Sequence, residues 1–526
     1  MLPESSLVNK FQEQEMKIKS ALISVWDKHG LPELGKFLHN NGVEIIATGG
    51  SQRILEGQGI PVTPIESITG MTSVMDGRVK TLNPKIFGGI LADRENQTHI
   101  DDLDQLGGKT IDLVIVNFYP FVAEAVNRNL EFRRAIEYID IGGPSMVRAA
   151  AKNYHSVVSL CSPKQYQGFM DQFIQYDGEV PLDGRLKFAQ DVFKMTAAYE
   201  FAIFGYFSHN DSEALPEKLD ITAVKYQEIR YGENPHQKAA FYRNSDSFNQ
   251  WHQHQGKELS YNNYSDIESA IRIINEFSTT ACVIIKHANP CGFGTGKDSL
   301  EAYERAVSTD PVSYFGGIVG FNREVTPDLA SLLIRPFLEC VAAPSYTDEA
   351  LEIFKKKKNL RIIRFDTGSA DEALIIKSCA GGYLVQDRDQ DQKELSNLKI
   401  VTQRVPTDEE LRALQLGWKI SKYVKSNAIV LSNDQQLLGV GAGQMSRVDS
   451  VKIAIRKSLE AGLSLTGAII ASDAFFPFAD SLEIAAKAGI TAVIQPGGSI
   501  KDNEVIKKAD DLNMAMVFTG VRHFYH

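Results

Sequence analysis

Apolar runs of strand length alternate with amphipathic stretches through the amino-terminal part of the chain. Two strands come first, each followed by a helix, and two buried-type strands and a long helix come later. This order predicts an α/β fold in which a parallel sheet carries helices on its faces. The predicted strands are 20–25, 43–47, 111–116 and 156–160, and the predicted helices are 31–38, 51–58 and 184–207.

The carboxyl-terminal part passes through a similar order of elements twice. The two passes share little sequence identity, so the order of elements alone predicts a duplicated α/β unit. The first pass has helices at 266–277 and 299–308, strands at 281–286, 316–321, 340–343 and 360–363, and a glycine turn after 286. The second has helices at 408–425 and 481–488 and strands at 427–431, 437–443, 467–471 and 490–494.

Polar breaks predict how the chain divides. Residues 1–16 are polar and predict an amino-terminal extension, and the stretch from Asn210 to Pro216 is rich in residues that interrupt helices. We therefore expect one domain at 17–212 and a second region at 213–526. The two units of that region are expected to divide near 366–405.

Composition limits the classes of function. The chain has 526 residues, 43% of them hydrophobic, and a net charge of −10, which argues against extensive nucleic-acid binding. Its five cysteines are odd in number and scattered, as is usual in a reducing compartment. No signal peptide and no membrane-spanning run is predicted. We expect a cytoplasmic protein.

Lys286 and His287 follow an apolar strand and precede Asn289-Pro290-Cys291-Gly292. This pattern predicts two titratable groups at the carboxyl end of a strand, where α/β proteins commonly bind ligands. A histidine can act there as a general base, and a neighbouring ammonium can stabilise developing negative charge. The structural alternative is a solvated lysine and a histidine that bonds a turn carbonyl.

Two segments of the amino-terminal part are candidates for binding an anion. Thr48-Gly49-Gly50-Ser51 joins a strand to a helix, whose free N–H groups can bind a phosphate. Residues 76–85 place three cations within a loop that also contains Gly77 and Pro84. A plain tight turn and a solvated basic loop are the respective alternatives.

Four residues of the same part form a predicted catalytic constellation. Tyr119 follows the strand at 111–116, and Asp140 precedes a helix that Gly142-Gly143-Pro144-Ser145 opens and that carries Lys152. Together with Lys80 they supply acid, base and orienting groups, provided that the sheet topology brings them together.

A block of aromatic residues near the carboxyl terminus is a candidate site for a flat heterocycle. Phe475, Phe476 and Phe478 surround Pro477 after a predicted strand. Such rings can stack on a heterocycle while Asp480 hydrogen-bonds its nitrogens. The alternative is ordinary core packing.

With these blocks the chain resembles the bifunctional purine-biosynthesis family that joins AICAR formyltransferase to IMP cyclohydrolase. The resemblance covers nearly the whole chain after about residue 17, and several motifs occur in the order and spacing of that family. They are Gly77-Arg78-Val79-Lys80-Thr81-Leu82, Ile139-Asp140-Ile141-Gly142-Gly143-Pro144-Ser145, Arg230-Tyr231-Gly232, Lys286-His287, Gly441-Ala442-Gly443-Gln444 and Ser472-Asp473-Ala474-Phe475-Phe476-Pro477-Phe478.

For the amino-terminal domain the resemblance implies a methylglyoxal-synthase-like fold that closes the ring of formyl-AICAR to give IMP. It implies that Lys152 is the acid/base group, assisted by Lys80, Tyr119 and Asp140. The implied nucleotide contacts are Trp26, Asp27, Lys28, Thr48, Gly49, Gly50, Ser51, Arg78, Val79, Thr81, Val116, Asn117, Ile141, Gly142 and Gly143.

For the carboxyl-terminal region the resemblance implies two tandem cytidine-deaminase-like units that transfer a formyl group from 10-formyltetrahydrofolate to AICAR. It implies that His287 is the base and Lys286 the electrostatic stabiliser, in a homodimer whose formyltransferase sites are shared. The implied AICAR contacts are Arg230, Tyr231, Asn263, Gly316, Glu339, Asn427, Phe475 and Arg522. The implied folate contacts are Arg447, Val448, Asp480, Ser499 and Ile500.

The chain departs from the family pattern at a few positions of the cyclohydrolase motifs. Trp26 and His29 stand where smaller hydroxylated residues are usual, and Asn83 and Phe87 stand where histidine is common. The alternative function is therefore formyl transfer with an impaired cyclohydrolase site. Neither reaction requires a metal, although bound potassium is possible.

Two further hypotheses belong to other classes of protein. A zinc nucleoside deaminase needs a second thiol after Pro290-Cys291, and Gly294 occupies that position. A non-catalytic nucleotide-binding protein would not need the Lys286-His287 pair.

Overall fold

The computed structural model describes residues 16–72, 75, 79–128, 130–207, 215, 219, 221, 223–243, 251–366, 374–389, 395 and 398–526. The chain forms two compact units, Met1–Glu217 and Lys218–His526. The predicted boundary at 212/213 lies in residues outside this description. No helix in the described ranges is both long and apolar enough to cross a membrane.

Unit 1 is built on a five-stranded parallel sheet in the order β3-β2-β1-β4-β5. Its strands are β1 Ser20–Val25, β2 Glu44–Ala47, β3 Thr63–Pro64, β4 Leu113–Asn117 and β5 Val158–Leu160. Its helices are α1 Leu31–Asn40, α2 Gly49–Gly57, α3 Ile65–Thr69, α4 Pro84–Leu91, α5 Gln97–Gln105, α6 Phe132–Ala135, α7 Gly142–Lys152, α8 Tyr166–Gln175 and α9 Leu182–Phe207. Single helical turns lie at Val122–Val126, Ile136–Tyr138 and Pro163–Gln165.

The parallel sheet predicted for this unit is confirmed. Its apolar strands are buried on both faces, because one hydrophobic cluster packs on each side of the sheet. Consecutive residues of β1 show this, since Leu22 belongs to one cluster and Ile23 to the other. The carboxyl ends of β1, β2 and β4 therefore lie along one edge of the sheet.

Unit 2 contains two six-stranded mixed sheets and two exposed hairpins. Its strands are β6 Val224–Ile229, β7 Ala239–Arg243, β8 Trp251–Gln255, β9 Ala281–Lys286, β10 Asn289–Thr295, β11 Ile318–Phe321, β12 Cys340–Ala343, β13 Arg361–Phe365, β14 Leu374–Cys379, β15 Gly382–Asp387, β16 Lys399–Ile400, β17 Ile429–Ser432, β18 Leu437–Gly441, β19 Ile469–Ser472, β20 Ala492–Gln495 and β21 Ala515–Phe518. Its helices are α10 Tyr261–Asn275, α11 Ser299–Thr309, α12 Pro327–Leu333, α13 Asp348–Phe354, α14 Asp408–Ser421, α15 Arg447–Glu460, α16 Asp480–Lys487 and α17 Asp502–Asp511.

The predicted repeat appears as two sheets of the same topology. One has the order β10-β9-β11-β12-β13-β8, and the other has the order β18-β17-β19-β20-β21-β16. In each sheet an antiparallel hairpin is followed by a third antiparallel strand. Two strands parallel to that third strand come next, and the sheet ends on an antiparallel edge strand. The α/β class and the duplicated order of elements are thus confirmed, whereas the likeness to cytidine deaminases stays a prediction.

The glycine turn predicted after residue 286 is wrong. The chain turns at His287 and Ala288 and then forms β10 as far as Thr295. Gly292 and Gly294 lie inside that strand. Both positions require glycine, because α11 packs so closely on the strand that a side chain would meet the backbone of Ala306 or Ala302.

Candidate functional site

The carboxyl edge of the unit 1 sheet brings the ends of β1 and β2 together. Lys28 reaches from the loop after β1 to the Val25 carbonyl and to Ser51 Oγ, the latter at 3.5 Å. A Cβ built on Gly50 would lie 3.7 Å from Lys28 Nζ, so the ammonium lies over the start of α2. Burial lowers the pKa of Lys28, and Asp27 partly opposes this effect. The Thr48 hydroxyl lies 3.1 Å from the Ser24 hydroxyl and does not cap α2.

Asn117 fixes the loop after β1 from the end of β4. Its Oδ1 accepts the backbone N–H groups of Trp26 and Asp27 at 2.6 and 2.8 Å. Its Nδ2 donates to the Asp27 carbonyl at 3.0 Å. The rings of Trp26 and Tyr119 then meet with their centroids 4.5 Å apart. The substituted Trp26 therefore forms an exposed aromatic wall beside a predicted catalytic residue.

The loop that carries Val79, Lys80 and Thr81 closes the same edge. Lys80 Nζ would lie 3.1 Å from a Cβ on Gly49, and Thr81 Oγ1 would lie 2.8 Å from one on Gly142. Gly49 has a φ of +37°, so a side chain there would be strained and would crowd the ammonium. Lys80 Nζ also lies 3.6 Å from Glu66 Oε1. Arg78 lies outside the described residues.

Asp140 lies at the amino end of α7, where its Oδ1 accepts the N–H of Gly143 at 2.9 Å. A Cβ on Gly143 would clash with this carboxyl group and approach Val116 at 3.2 Å. Burial raises the pKa of Asp140, and the backbone N–H groups of Gly143, Tyr119 and Gly142 partly oppose this effect. A carboxyl group with a raised pKa is suited to carry a proton. Ile141, the residue before α7, is exposed.

Lys152 lies apart from the other three members of the predicted constellation. α7 has 11 residues and is about 16 Å long, and Lys152 is its last residue while Asp140 lies at its first turn. Lys152 lines a different cleft of about 1050 Å³, together with Ser20, Asp112 and Ser156 from the amino ends of the strands. The structure therefore groups Lys80, Tyr119 and Asp140 and places Lys152 at the opposite edge of the sheet.

In unit 2, His287 lies at the tip of the hairpin that joins β9 to β10. His287 and Ala288 have φ values of +52° and +56°, which define a two-residue turn of the left-handed type. The imidazole is exposed, and the preceding Lys286 donates from Nζ to the Phe315 carbonyl at 2.7 Å. A Cβ on Gly316 would lie 3.2 Å from Lys286 Nζ, so the predicted AICAR contact at Gly316 adjoins the lysine.

A second part of unit 2 gathers predicted contacts to both substrates in one cleft of about 530 Å³. It lies beside the start of β17, the end of β19 and the first residues of α15 and α16. Its lining includes the predicted AICAR contacts Asn427, Phe475 and Arg522 and the predicted folate contacts Arg447, Val448 and Asp480.

The Arg447 guanidinium is committed to protein acceptors inside this cleft. It donates to Ser472 Oγ at 2.7 Å, to Asp473 Oδ1 at 2.6 Å and to Asn427 Oδ1 at 2.9 Å. Arg447 therefore fixes the orientation of the Asn427 amide, whose Nδ2 donates to the Gln444 carbonyl at 3.0 Å.

Asn289 connects the His287 turn to the segment that leads into this cleft. Its Oδ1 accepts the backbone N–H of Lys425 at 3.0 Å, and Lys425 stands two residues before Asn427. Lys425 Nζ lies 3.9 Å from the centroid of the Tyr525 ring. Burial, followed by the charge of Lys377, lowers the pKa of Lys425. Sequence patterns did not point to Lys425, because a lysine before a strand usually signals solvent exposure.

The other predicted contacts of unit 2 have different surroundings. Asn263 is buried and caps α10 by exchanging hydrogen bonds with Ser260. Glu339 pairs with Arg361 at 2.6 Å. Arg230 is exposed and lies over the ring of its neighbour Tyr231, 5.7 Å from the centroid.

Ser499 and the fully exposed Ile500 belong to the loop before α17. The next residue, Lys501, lies 4.6 Å from the centroid of the Phe478 ring, and Phe478 lines the cleft. This contact places the loop at the cleft's rim.

The remaining substituted positions have structural roles. Asn83 caps α4 by accepting the N–H of Lys85 at 2.9 Å, and Phe87 packs against a core cluster. The backbone N–H of His29 donates to Asp27 Oδ1 at 2.9 Å. Within the described part of the chain, no three His, Cys, Asp or Glu side chains converge as ligands for a metal ion.

Comparisons with known proteins match this organisation. The model of the AICARFT/IMPCHase bienzyme family matches residues 150–457, and the model of the MGS-like domain matches residues 30–145. A bifunctional purine biosynthesis protein PurH from Bacillus cereus is 49% identical over 97% of this chain and 100% of its own length. A namesake from Bacillus thuringiensis strain Al Hakam is 48% identical over the same shares. A solved structure titled "Crystal structure of ForH" covers 36% of this chain and 100% of its own, with 34% identity and a TM-score of 0.33.

The fold and the two sites therefore define a two-domain enzyme of nucleotide metabolism. The chain belongs to the AICARFT/IMPCHase bienzyme family and is an AICAR formyltransferase and an IMP cyclohydrolase. Nothing in the comparisons favours the alternative in which only formyl transfer is retained.

Proposed function

We propose that the chain catalyses two consecutive steps, formyl transfer from 10-formyltetrahydrofolate to the 5-amino group of AICAR and then dehydrative closure of formyl-AICAR to IMP. We assign ring closure to residues 17–212 and formyl transfer to residues 213–526. The observation that supports the proposal is the hydrogen bond from the Lys425 N–H to Asn289 Oδ1, which links the hairpin of His287 to the segment just before Asn427, a residue that lines the 530 Å³ cleft.

In formyl transfer, the 5-amino nitrogen attacks the formyl carbon, the bond from that carbon to N10 of the folate breaks, and N10 takes up a proton. The amine is a poor nucleophile because its lone pair is delocalised into the imidazole ring. His287 accepts the amine proton, and the Lys286 ammonium stabilises the negative charge that develops on the formyl oxygen. The exposed turn leaves the imidazole accessible to a bound substrate.

We assign the cleft to the two substrates jointly. Phe475 stacks on the AICAR heterocycle, Asn427 and Arg522 bind its polar groups, and Gly316 and Glu339 complete its contacts near Lys286. Val448 and Asp480 bind the folate with Ser499 and Ile500, while Arg447 acts through Asn427. Asn263 supports the site as the cap of α10.

Arg230 and Tyr231 support a shared site in a homodimer. They are predicted AICAR contacts but are absent from the lining of the described cleft. We propose that Arg230 and Tyr231 of a second copy complete the cleft, with Arg230 binding the AICAR phosphate.

In ring closure, the carboxamide nitrogen of formyl-AICAR attacks the formyl carbon of the same molecule, and water leaves. Holding the two groups in contact supplies much of the rate, because the reaction is intramolecular. We propose that Lys80 and Asp140 exchange the protons and that Tyr119 and Trp26 enclose the base. Lys28 and residues 48–51 bind the phosphate. A nucleotide contact from Arg78 stays a prediction.

The position of Lys152 does not support direct proton transfer, so we do not assign it the acid/base step. A cytoplasmic location and a bound potassium ion stay predictions. Elemental analysis of dialysed protein tests for potassium.

One assay tests the proposed pair of reactions. Purified protein is mixed with AICAR and 10-formyltetrahydrofolate, and tetrahydrofolate and IMP are followed separately. We expect equal final amounts of the two products, with tetrahydrofolate appearing first. Tetrahydrofolate without IMP would contradict the assigned ring closure, and the absence of both products would contradict the assigned formyl transfer.

A further inference from the structure

The Asp266 side chain contacts the turn that carries His287. Its Oδ1 accepts the backbone N–H of Ala288 at 2.7 Å. Asp266 lies in the second turn of α10, and its side chain is only partly exposed. None of the sequence motifs considered above includes Asp266, because its contact with residue 288 depends on how α10 packs beside β9.

The conformation of this turn requires restraint from its surroundings. A left-handed conformation is sterically unfavourable for a residue with a side chain, and His287 and Ala288 both adopt it. Hairpin turns of this type usually carry Asn and Gly instead. Such residues keep a strained conformation only when neighbouring groups hold them in place.

Hydrogen bonds hold the turn from two sides. On one side, Asn289 Nδ2 donates to the His287 carbonyl at 3.0 Å while Asn289 Oδ1 accepts the Lys425 N–H. On the other side, Asp266 accepts the Ala288 N–H, and this hydrogen bond ties the turn to α10. Burial raises the pKa of Asp266, and the Ala288 N–H and the charges of His287 and Lys286 partly oppose this effect.

We propose that Asp266 is a positioning residue of the formyltransferase. By accepting the Ala288 N–H it holds the left-handed turn, and the turn directs the His287 imidazole toward the amine of AICAR. This inference rests on the proposed role of His287 as the base. The essential feature is an acceptor oxygen at this position, which an Asn side chain also provides.

Kinetics of Asp266→Ala and Asp266→Asn test the inference. Asp266→Ala should lower kcat of formyl transfer about 100-fold through displacement of the base, with KM for AICAR unchanged. Asp266→Asn should restore most of kcat, because the amide oxygen still accepts the Ala288 N–H. Ring closure of supplied formyl-AICAR should be unchanged in both variants.

Asp298 offers a matched control. Its Oδ1 accepts the N–H of Glu301 at 2.9 Å at the start of α11, and β10 separates it from the turn by about 20 Å. Asp298→Ala should lower the unfolding midpoint in urea, because α11 loses its cap, and should keep the wild-type kcat.

A second variant keeps the test valid if Asp266→Ala folds poorly. Glycine adopts left-handed conformations without the steric cost, so Ala288→Gly should recover part of kcat in the Asp266→Ala background. The inference is wrong if Asp266→Ala keeps the wild-type kcat while His287→Ala abolishes formyl transfer, or if Ala288→Gly recovers nothing. Retention of formyl transfer by His287→Ala would instead overturn the proposed role of His287.

Discussion

Arg447 donates to Asp473 at 2.6 Å, and both side chains are buried, with 7% and 0% of their surfaces exposed. The same guanidinium bonds Asn427, so the cleft's polar wall is fixed by an ion pair beneath it. Removing one partner of such a pair leaves the other charge buried without compensation.

Arg447→Ala should therefore lower the free energy of unfolding of unit 2 by about 3–5 kcal/mol. Urea unfolding compared with the wild type measures this loss. Lys452→Ala in the same helix is the control, because Lys452 and Asp449 form an exposed pair at 3.6 Å that contributes about 0.5 kcal/mol or less. Equal losses in the two variants would contradict the role of the buried pair.

Substitution of Lys80 and of Lys152 should affect the rate of ring closure to different extents. Lys80 lies beside Gly49 at the carboxyl edge of the sheet, whereas Lys152 lines the cleft at the amino edge. Lys80→Ala should lower kcat for formyl-AICAR about 10²–10⁴-fold, as expected for loss of a general acid or base. Lys152→Ala should have a much smaller effect. A larger loss in Lys152→Ala than in Lys80→Ala would show that the grouping at the carboxyl edge is not the catalytic one.

Gly441 is required by the close packing of β18 on α15. A Cβ at this position would lie 2.0 Å from the Ser450 carbonyl oxygen, so the helix would have to move. Gly441→Ala should cost about 1–3 kcal/mol. Gly382→Ala is the control, since the nearest atom to its Cβ would be 3.8 Å away and the expected change is within about 0.5 kcal/mol. The difference in stability between the two variants is measured from their unfolding midpoints in urea.

The half-buried carboxyl of Asp140 predicts a pH dependence of stability. Its pKa is raised in the folded state, so the folded protein holds the proton more strongly than the unfolded chain does. That contribution to stability is complete below the unfolded pKa and is lost as the pH rises through the folded pKa.

Asp140→Asn removes this titration. The variant should therefore gain stability relative to the wild type as the pH rises from about 4 to 8, and the difference should vanish at the acidic end. Hydrogen exchange of the α7 amides measures it. A difference that grew toward acidic pH would mean that the folded pKa is lowered.

The sequence predicts the order of elements well, because the inner strands of all three large sheets are apolar runs buried on both faces. Leu113–Asn117 and Ile429–Ser432 show the pattern. The edge strand Trp251–Gln255 and the hairpin strand Val224–Ile229 were missed, since most of their residues are half-buried or exposed and they carry no apolar run. Asn289-Pro290 gave a turn signal that lies just after the actual turn.

The neighbourhood of candidate site residues was predictable where a motif places them side by side, as with Lys286 and His287 at the end of β9. Contacts made by packing were not. Asp266 contacts Ala288 only because α10 lies beside β9. Lys152 is close to Asp140 in sequence, but the length of α7 separates them in the structure.

The central claim is that two separate sites perform the two reactions, and one pair of variants tests it most directly. Formyl transfer and closure of supplied formyl-AICAR are assayed in parallel for His287→Ala and Lys80→Ala. We expect His287→Ala to abolish formyl transfer and keep ring closure, and Lys80→Ala to do the reverse. If either folded variant loses both activities, the two reactions do not occupy separate sites.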